Sequence, residues 1–442
     1  MHLRPCLLCF ANYPEDYEVE STRLIGSWIA EGFVWGRTGK TALQIGEECL
    51  NELRNRFLIL DNGNELFSGV HSGYKVHDAV REMLIKIATE ESFFSRHHRE
   101  NNNSSWLRTL AVVDTETVPP ILEANLHNFQ RLRMLHLELA SAINTVESAA
   151  FSKWLKGIVS LHHLVYLHLR NVDALTTLPG SIGKLRYLQW LTIIDCCNLK
   201  CLPSSITRLE KLTVLRVLRC KSMESLPKGL GKLPNLEHLE CLMESDEDVP
   251  KSWTSLSDLK QLKKLTRLFM EISKEEHVGE DECNVLQIPE LMQFLSLHFH
   301  RGVCLPKVSW KIDRPLCHPL QRLQQLHLLY YPGENMPAWL SPASLPNLCY
   351  LAVAGGRIKK LGPGFFFEWK VETLVLVGLE ELVEDWANIE RVMPFLKRVE
   401  VVRCPKLTYS EEAFQPRPHG GMTIKKYNRD YDDDDDDDDD DD

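Results

Sequence analysis

The chain has 442 residues, 44% of them hydrophobic, with thirteen cysteines and a formal net charge of -11. Asp430 and the run Asp432–Asp442 hold twelve negative charges, so the remainder stands near +1 and its bulk charge argues against a nucleic-acid binder. No stretch approaches the roughly 18 apolar residues that span a bilayer, the start MHLRPCLLCFANYPEDY lacks a signal-peptide core, and the cysteine count is odd. These features predict a cytoplasmic protein with reduced thiols and no membrane span.

Residues 1–95 read as a compact helical unit with a hairpin. Cys6 and Cys9 have C-x-x-C spacing, but they lie in an apolar helical segment without a partner pair, so core packing is expected there and not zinc or redox chemistry. Leu24, Ile25, Trp28 and Ile29 fall at helical spacing after Ser21 and Thr22, and Gly32 can end that helix. The Gly36–Thr41 stretch finishes in Gly-Lys-Thr, yet the phosphate-loop pattern G-x-x-x-x-G-K-S/T needs a glycine where Val34 stands and a strand leading in. It is expected to be a turn before a second helix, Thr41 to Arg56, with Ile45, Cys49 and Leu53 on one face. Phe57–Leu60 and Tyr74–Val76 then read as two strands around a turn-rich stretch, and a third helix from Asp78 carries Val80, Met83, Leu84 and Ile87. Helices followed by a two-stranded wing make a winged helix. Residues 96–105, including HHRENNNSS, are polar and turn-rich and read as a linker; His97 and His98 are adjacent, poor spacing for one metal centre.

Residues 106–410 carry a repeat. Leu188, Leu191, Ile193 and Cys196 are matched by Leu212, Leu215, Val217 and Cys220, and then by Leu236, Leu239 and Cys241, 24 residues apart at each step. That period and the L-x-x-L-x-L-x-x-C/N pattern identify a leucine-rich repeat, of which about a dozen units can be traced. Alternate residues of a strand point to opposite sides, so the leucines share one core and their neighbours share the opposite face. One strand cannot bury its apolar side alone, and stacked repeats do it together. The fold class expected is α/β: a leucine-rich repeat horseshoe preceded by a small winged helix. Cys196, Cys220 and Cys404 occupy the small-residue slot of the repeat as reduced core residues. Residues 411–442 contain a proline- and glycine-rich stretch and the aspartate run, and read as a disordered tail that interacts with basic partners or contributes solubility.

The segment CLLCFANYPEDYEVESTRLIGSWIAEGFV, residues 6–34, resembles the opening of the winged-helix subdomain in plant nucleotide-binding, leucine-rich repeat (NB-ARC-LRR) disease-resistance proteins. KVHDAVREMLIKIATEESFF, Lys75–Phe94, is similar to that family's Met-His-Asp motif and its following helix, with Val76 in place of the methionine. The resemblance implies a defence role. By carry-over it also makes His77 and Asp78 remnants of an ADP site; the phosphate loop, Walker B strand and signalling domain that precede this region in the family are not found in the sequence. Without a cradle of backbone amides and a lysine, these two residues are not expected to hold ADP alone. The chain therefore reads as an N-terminally truncated relative, with Trp28 and Phe33 as candidates for an apolar patch that has lost its packing partners.

No catalytic constellation and no metal centre is expected. Binding is expected on the repeat face opposite the leucines, where Tyr166, His168, Arg170, Trp190, Arg216, His238, Arg267, Phe269, His327 and Tyr350 form a row rich in aromatic and arginine side chains, with Gln325, Arg398 and Glu400 among their neighbours. The expected partner is a protein: pathogen-derived, a guarded host protein, or a full-length relative. The alternatives are a nucleotide-switch remnant working with a nucleotide-binding partner, a nonfunctional relic, and a winged-helix DNA binder; nine Lys/Arg against fourteen Asp/Glu in residues 1–95 oppose the last.

Overall fold

Two compact units, Met1–Met292 and Gln293–Asp442, make up the chain in the computed structural model. The structure describes residues 3–61, 73–90, 107–115, 126–140, 148–224, 226–242, 259, 261–272, 289–299, 319–337, 339–361, 368–408 and 423–427. The expected linker and the aspartate run lie outside the described residues.

The first unit opens with four helices and a small sheet: α1 Leu3–Leu8, β1 Val19–Glu20, α2 Ser21–Glu31, α3 Ala42–Asn55, β2 Leu60–Asp61, β3 Gly73–Lys75 and α4 Asp78–Glu90. Gly32 ends α2 with a left-handed backbone (φ 81°). The stretch resembling a phosphate loop is a turn: Arg37 and Lys40 form a bridge, and Thr41 caps α3 in a capping box with Gln44. The wing is shorter than expected and has a third strand, with β3 central between β1 and β2, all antiparallel. β1 is two residues long, below the length at which alternation signals a strand. Trp28 is fully buried and its indole N–H donates to the Cys6 carbonyl at 3.0 Å; Phe33 is partly buried against the same core, and both expected orphans have packing partners. Met83, on the expected inner side of α4, is instead exposed.

The rest of this unit is a parallel sheet of strands β4 Thr109–Thr115, β5 Met134–Leu139, β6 Tyr166–Arg170, β7 Trp190–Ile194, β8 Val214–Leu218, β9 His238–Leu242 and β10 Arg267–Ile272, paired in that order, with helix α5 Ser148–Gly157 between β5 and β6. The diagnostic leucines Leu167, Leu191, Leu215 and Leu239 sit in register and are buried. Each such side chain contributes about 1.5–3 kcal/mol by leaving water, which the neighbouring repeats supply jointly. After β6, β7 and β8 the chain turns away through Asn171, Asp195 and Arg219, all left-handed and 24 residues apart. Cys196 and Cys220 are buried with thiols directed at the Ile194 and Leu218 carbonyls, 3.4 Å away.

The second unit repeats the plan with β11 Phe294–Phe299, β12 Gln325–Leu329, β13 Tyr350–Ala354, β14 Thr373–Val377, β16 Arg398–Val402 and β18 Thr423–Tyr427 in parallel, plus the short pair β15 Glu384–Asp385 and β17 Leu407–Thr408, with helix α6 Trp386–Val392 between β15 and β16. Within the expected tail, β18 adds a further strand to β16. Its Thr-Ile-Lys-Lys-Tyr sequence has the β-forming composition that lets it cover an otherwise open strand edge.

Candidate functional site

Pairing in register turns the outward side chains of the first unit into rows. One row runs Met134, Tyr166, Trp190, Val214, His238 and Arg267; the next runs His136, His168, Thr192, Arg216, Glu240 and Phe269. Aromatic rings stack along and between them: Tyr166 on Trp190 at 6.1 Å, His136 on His168 at 4.1 Å, and His238 on Phe269 at 5.5 Å between centroids.

Helix α2 packs on this face. Met134, Tyr166, Trp190 and Val214 belong to one hydrophobic core with Leu24, Ile25 and Trp28 of α2. The closest approach is at Gly26, where a Cβ would stand 2.5 Å from Tyr166 Cε2 and 3.0 Å from Trp190 Cδ2. Glycine in a helix interior costs roughly 0.5–1 kcal/mol relative to alanine. Here it lets two aromatic rings meet bare helix backbone. Gly46 does the same between α3 and α2, its missing Cβ leaving room for Ile25.

Arginines fasten the module to the strands. Arg23 of α2 donates to Tyr17 Oη at 2.6 Å and to Glu138 Oε2 of β5 at 3.1 Å, with its guanidinium over the rings of Tyr13 and Tyr17. Arg216 of β8 donates from Nη1 to Glu20 Oε2 at 2.9 Å and to Thr22 Oγ1 at 2.8 Å, and from Nε to Glu240. Arg267 of β10 meets Glu47 of α3 at 2.7 Å. A buried charge is tolerable only when paired in this way. Burial alone would lower the pKa of Arg216, but Glu240 and Glu20 outweigh it and the net shift is upward, so the guanidinium stays charged.

The buried histidines His136, His168 and His238 are held in the neutral form. Burial pushes His136 and His168 well below the usual imidazole range, assisted by Arg23. His238 falls to about 4 because burial outweighs the carboxylate of Glu240, which lies 3.6 Å from its Nε2. His136, Glu138 and His168 bring ligand-type atoms within 4.8 Å of one another. They do not fit a metal. The two imidazoles lie face to face with centroids 4.1 Å apart and planes 20° apart, so their lone pairs lie in separate, nearly parallel planes and do not converge on one ion, and Glu138 is already shared by Arg23, Arg170 and Tyr17. The set is a polar network under the helix.

Six of the eight residues expected to form a binding row in this unit are therefore buried: Tyr166, His168, Trp190, Arg216, His238 and Phe269. That part of the face is not open to an external partner, which corrects the expectation; periodicity tells which way a side chain points, not what lies above it. Arg170 is partly exposed and paired with Glu138 and Asp195. In the second unit His327 is buried between the rings of Phe294 and Tyr350. Tyr350 itself is partly exposed, in an in-register row Gln325, Tyr350, Thr373, Arg398 whose members are all partly exposed. His77 and Asp78 are exposed at the start of α4, where His77 Nδ1 accepts from the Ala79 amide at 3.3 Å.

A repeat stack whose first unit holds a winged helix is the class this architecture defines. The family model for a leucine-rich repeat region matches residues 107–360, and that for the disease resistance protein winged helix domain matches residues 13–84. The chain is similar to the disease resistance RPP13-like protein 4 of Arabidopsis thaliana, 31% identical over 423 residues covering 92% of this chain and 49% of that protein. It is also similar to two Solanum lycopersicum proteins, the ToMV susceptible protein tm-2 (29%) and the ToMV resistance protein Tm-2(2) (28%), each over 195 residues covering 43% of this chain and 22% of theirs. The chain belongs to the leucine-rich repeat disease-resistance proteins of plants. It spans about half the length of its Arabidopsis relative.

Proposed function

We propose that this protein acts in plant defence, in the cytoplasm, by recognising another protein through its repeats, and that recognition uses the row Gln325, Tyr350, Thr373 and Arg398 of the second unit. The observation that carries the reading is the contrast between the two strand faces. In the first unit the central residues are buried and tied to α2 and α3, whereas in the second unit an in-register row joining an aromatic and an arginine remains partly exposed. Such side chains supply much of the energy at protein interfaces. A pathogen-derived protein, a guarded host protein or a longer relative would dock there, while the winged helix stays on its own strands.

The test is co-precipitation from infected and uninfected plant extract with the intact chain and with Tyr350→Ala/Arg398→Ala, after matching their melting temperatures. A partner held by the intact chain and lost by the variant supports the reading. Equal capture by both sinks it.

A further inference from the structure

The arginines at and around the first unit's strand face have carboxylates against them: Arg23 of α2 has Glu138, Arg170 has Glu138 and Asp195, Arg216 has Glu20 and Glu240, and Arg219 in the turn after β8 has Asp195. One flank of the same unit is built differently. The stretches that lead into β7, β8, β9 and β10 carry Lys184, Arg186, Arg208, Lys211, Lys232 and Lys263, all exposed. Among the described residues none of these six forms an ion pair, and Glu210 is the one exposed carboxylate interleaved with them. The positions recur with the repeat: Lys184, Arg208 and Lys232 are 24 residues apart and each closes a 3-10 turn. Tyr187, Asn235 and Lys264 lie along the row as well. Lys211 Nζ sits 4.4 Å above the Tyr187 ring, and Lys264 donates to Asn235 at 2.6 Å.

We propose that this flank binds an acidic polypeptide segment, a run of consecutive carboxylates with the chemistry of Asp432–Asp442. Neighbouring parallel strands stand about 4.8 Å apart, so an extended acidic chain crossing the repeats meets a cation at each one. A single exposed ion pair contributes little; several in series give binding that weakens as salt screens them. The remaining surface is unsuited to a polynucleotide. Residues 1–95 of the same unit carry nine cationic against fourteen acidic side chains, and Lys211 covers the exposed Tyr187 ring where a base would stack.

Fluorescence anisotropy with a labelled peptide of eleven aspartates tests it, on the full chain and again with Asp432–Asp442 replaced by a Gly-Ser run, so that the peptide is the sole oligo-aspartate present. Saturable binding is expected at about 50 mM salt, weakening roughly tenfold or more at about 300 mM and again in Arg208→Glu/Lys211→Glu/Lys232→Glu. Serine at the same three positions should give an intermediate loss, and Arg357→Glu/Lys360→Glu in the second unit should give none. Melting curves confirm that each variant is folded. The proposal is overturned by absence of saturable binding to both chains, by undiminished binding in the triple variant, or by duplex DNA of equal charge binding the row more tightly than the peptide.

Discussion

Arg216 Nη1 lies 2.9 Å from Glu20 Oε2 across 196 residues of sequence, and its Nε is held by the buried Glu240. One guanidinium thus joins two repeats to the first strand of the winged helix. Arg216→Met keeps much of the volume but takes the guanidinium from Glu240, which has no exposed surface, while the partly exposed Glu20 can rehydrate. Removing one partner of a buried pair costs about 3–5 kcal/mol. Urea unfolding should show that loss, and Arg216→Met/Glu240→Leu should recover part of it. A double variant no more stable than the single one would mean that the loss does not arise at the Glu240 carboxylate.

Gly26→Ala would stabilise an isolated helix by roughly 0.5–1 kcal/mol. In this chain it should destabilise by about 1–3 kcal/mol, the usual cost of overpacking, because the new methyl meets Tyr166 and Trp190. Gly26→Ala/Tyr166→Leu should relieve it. Hydrogen exchange of α2 amides measures the effect locally, and faster exchange in the single variant with recovery in the double is the expected result.

The leucine period placed the strands and their buried side because packing repeats with the sequence. Thr41 and Gly32, which set helix ends through local hydrogen bonds and backbone freedom, were equally legible. The occupant of the first unit's strand face was not, because Glu20 with Arg216 and Arg23 with Glu138 are pairs separated by more than a hundred residues and carry no period. Gly26 was the available signal: a glycine inside a helical pattern marks a close approach. Likewise the 24-residue recurrence of Lys184, Arg208 and Lys232 was present in the chain, but only their exposure, with Glu210 the single exposed acid interleaved among the described residues, gives it meaning.

Acid should loosen the first unit. His238 titrates at about 4 when folded, against about 6.5 when unfolded, so between those values the unfolded chain holds the extra proton. Its contribution is full above pH 6.5 and is lost as pH falls through 4, up to about 3 kcal/mol. His136 and His168 act in the same direction, since both are held below the ordinary range. Glu31 and Glu237, raised by burial, act the opposite way and gain as pH falls. The clean measurement is therefore a difference: His238→Phe, which keeps the stack on Phe269, should have a flatter stability profile from pH 6.5 to 4 than the parent. Parallel profiles would show that His238 is not titrating in this window.

Two glycines of the second unit separate backbone strain from lack of space. Gly355 and Gly378 both have φ +61°, in the turn that follows β13 and β14. Tyr330 and Arg403 take left-handed backbones after β12 and β16, so the turn accepts side chains at the ordinary cost of about 1–2 kcal/mol. A Cβ on Gly378 would find its nearest neighbour at 3.9 Å, whereas one on Gly355 would stand 2.5 Å from Tyr330 Cδ1. Gly378→Ala should therefore cost about 1–2 kcal/mol, and Gly355→Ala about 1–3 kcal/mol more because the ring must move. Tyr330→Ser should remove most of that excess in the double variant and change Gly378→Ala little. Hydrogen exchange at β13 and β14 amides reports both substitutions in one unit. Equal costs at the two glycines would assign the whole effect to φ and none to the ring.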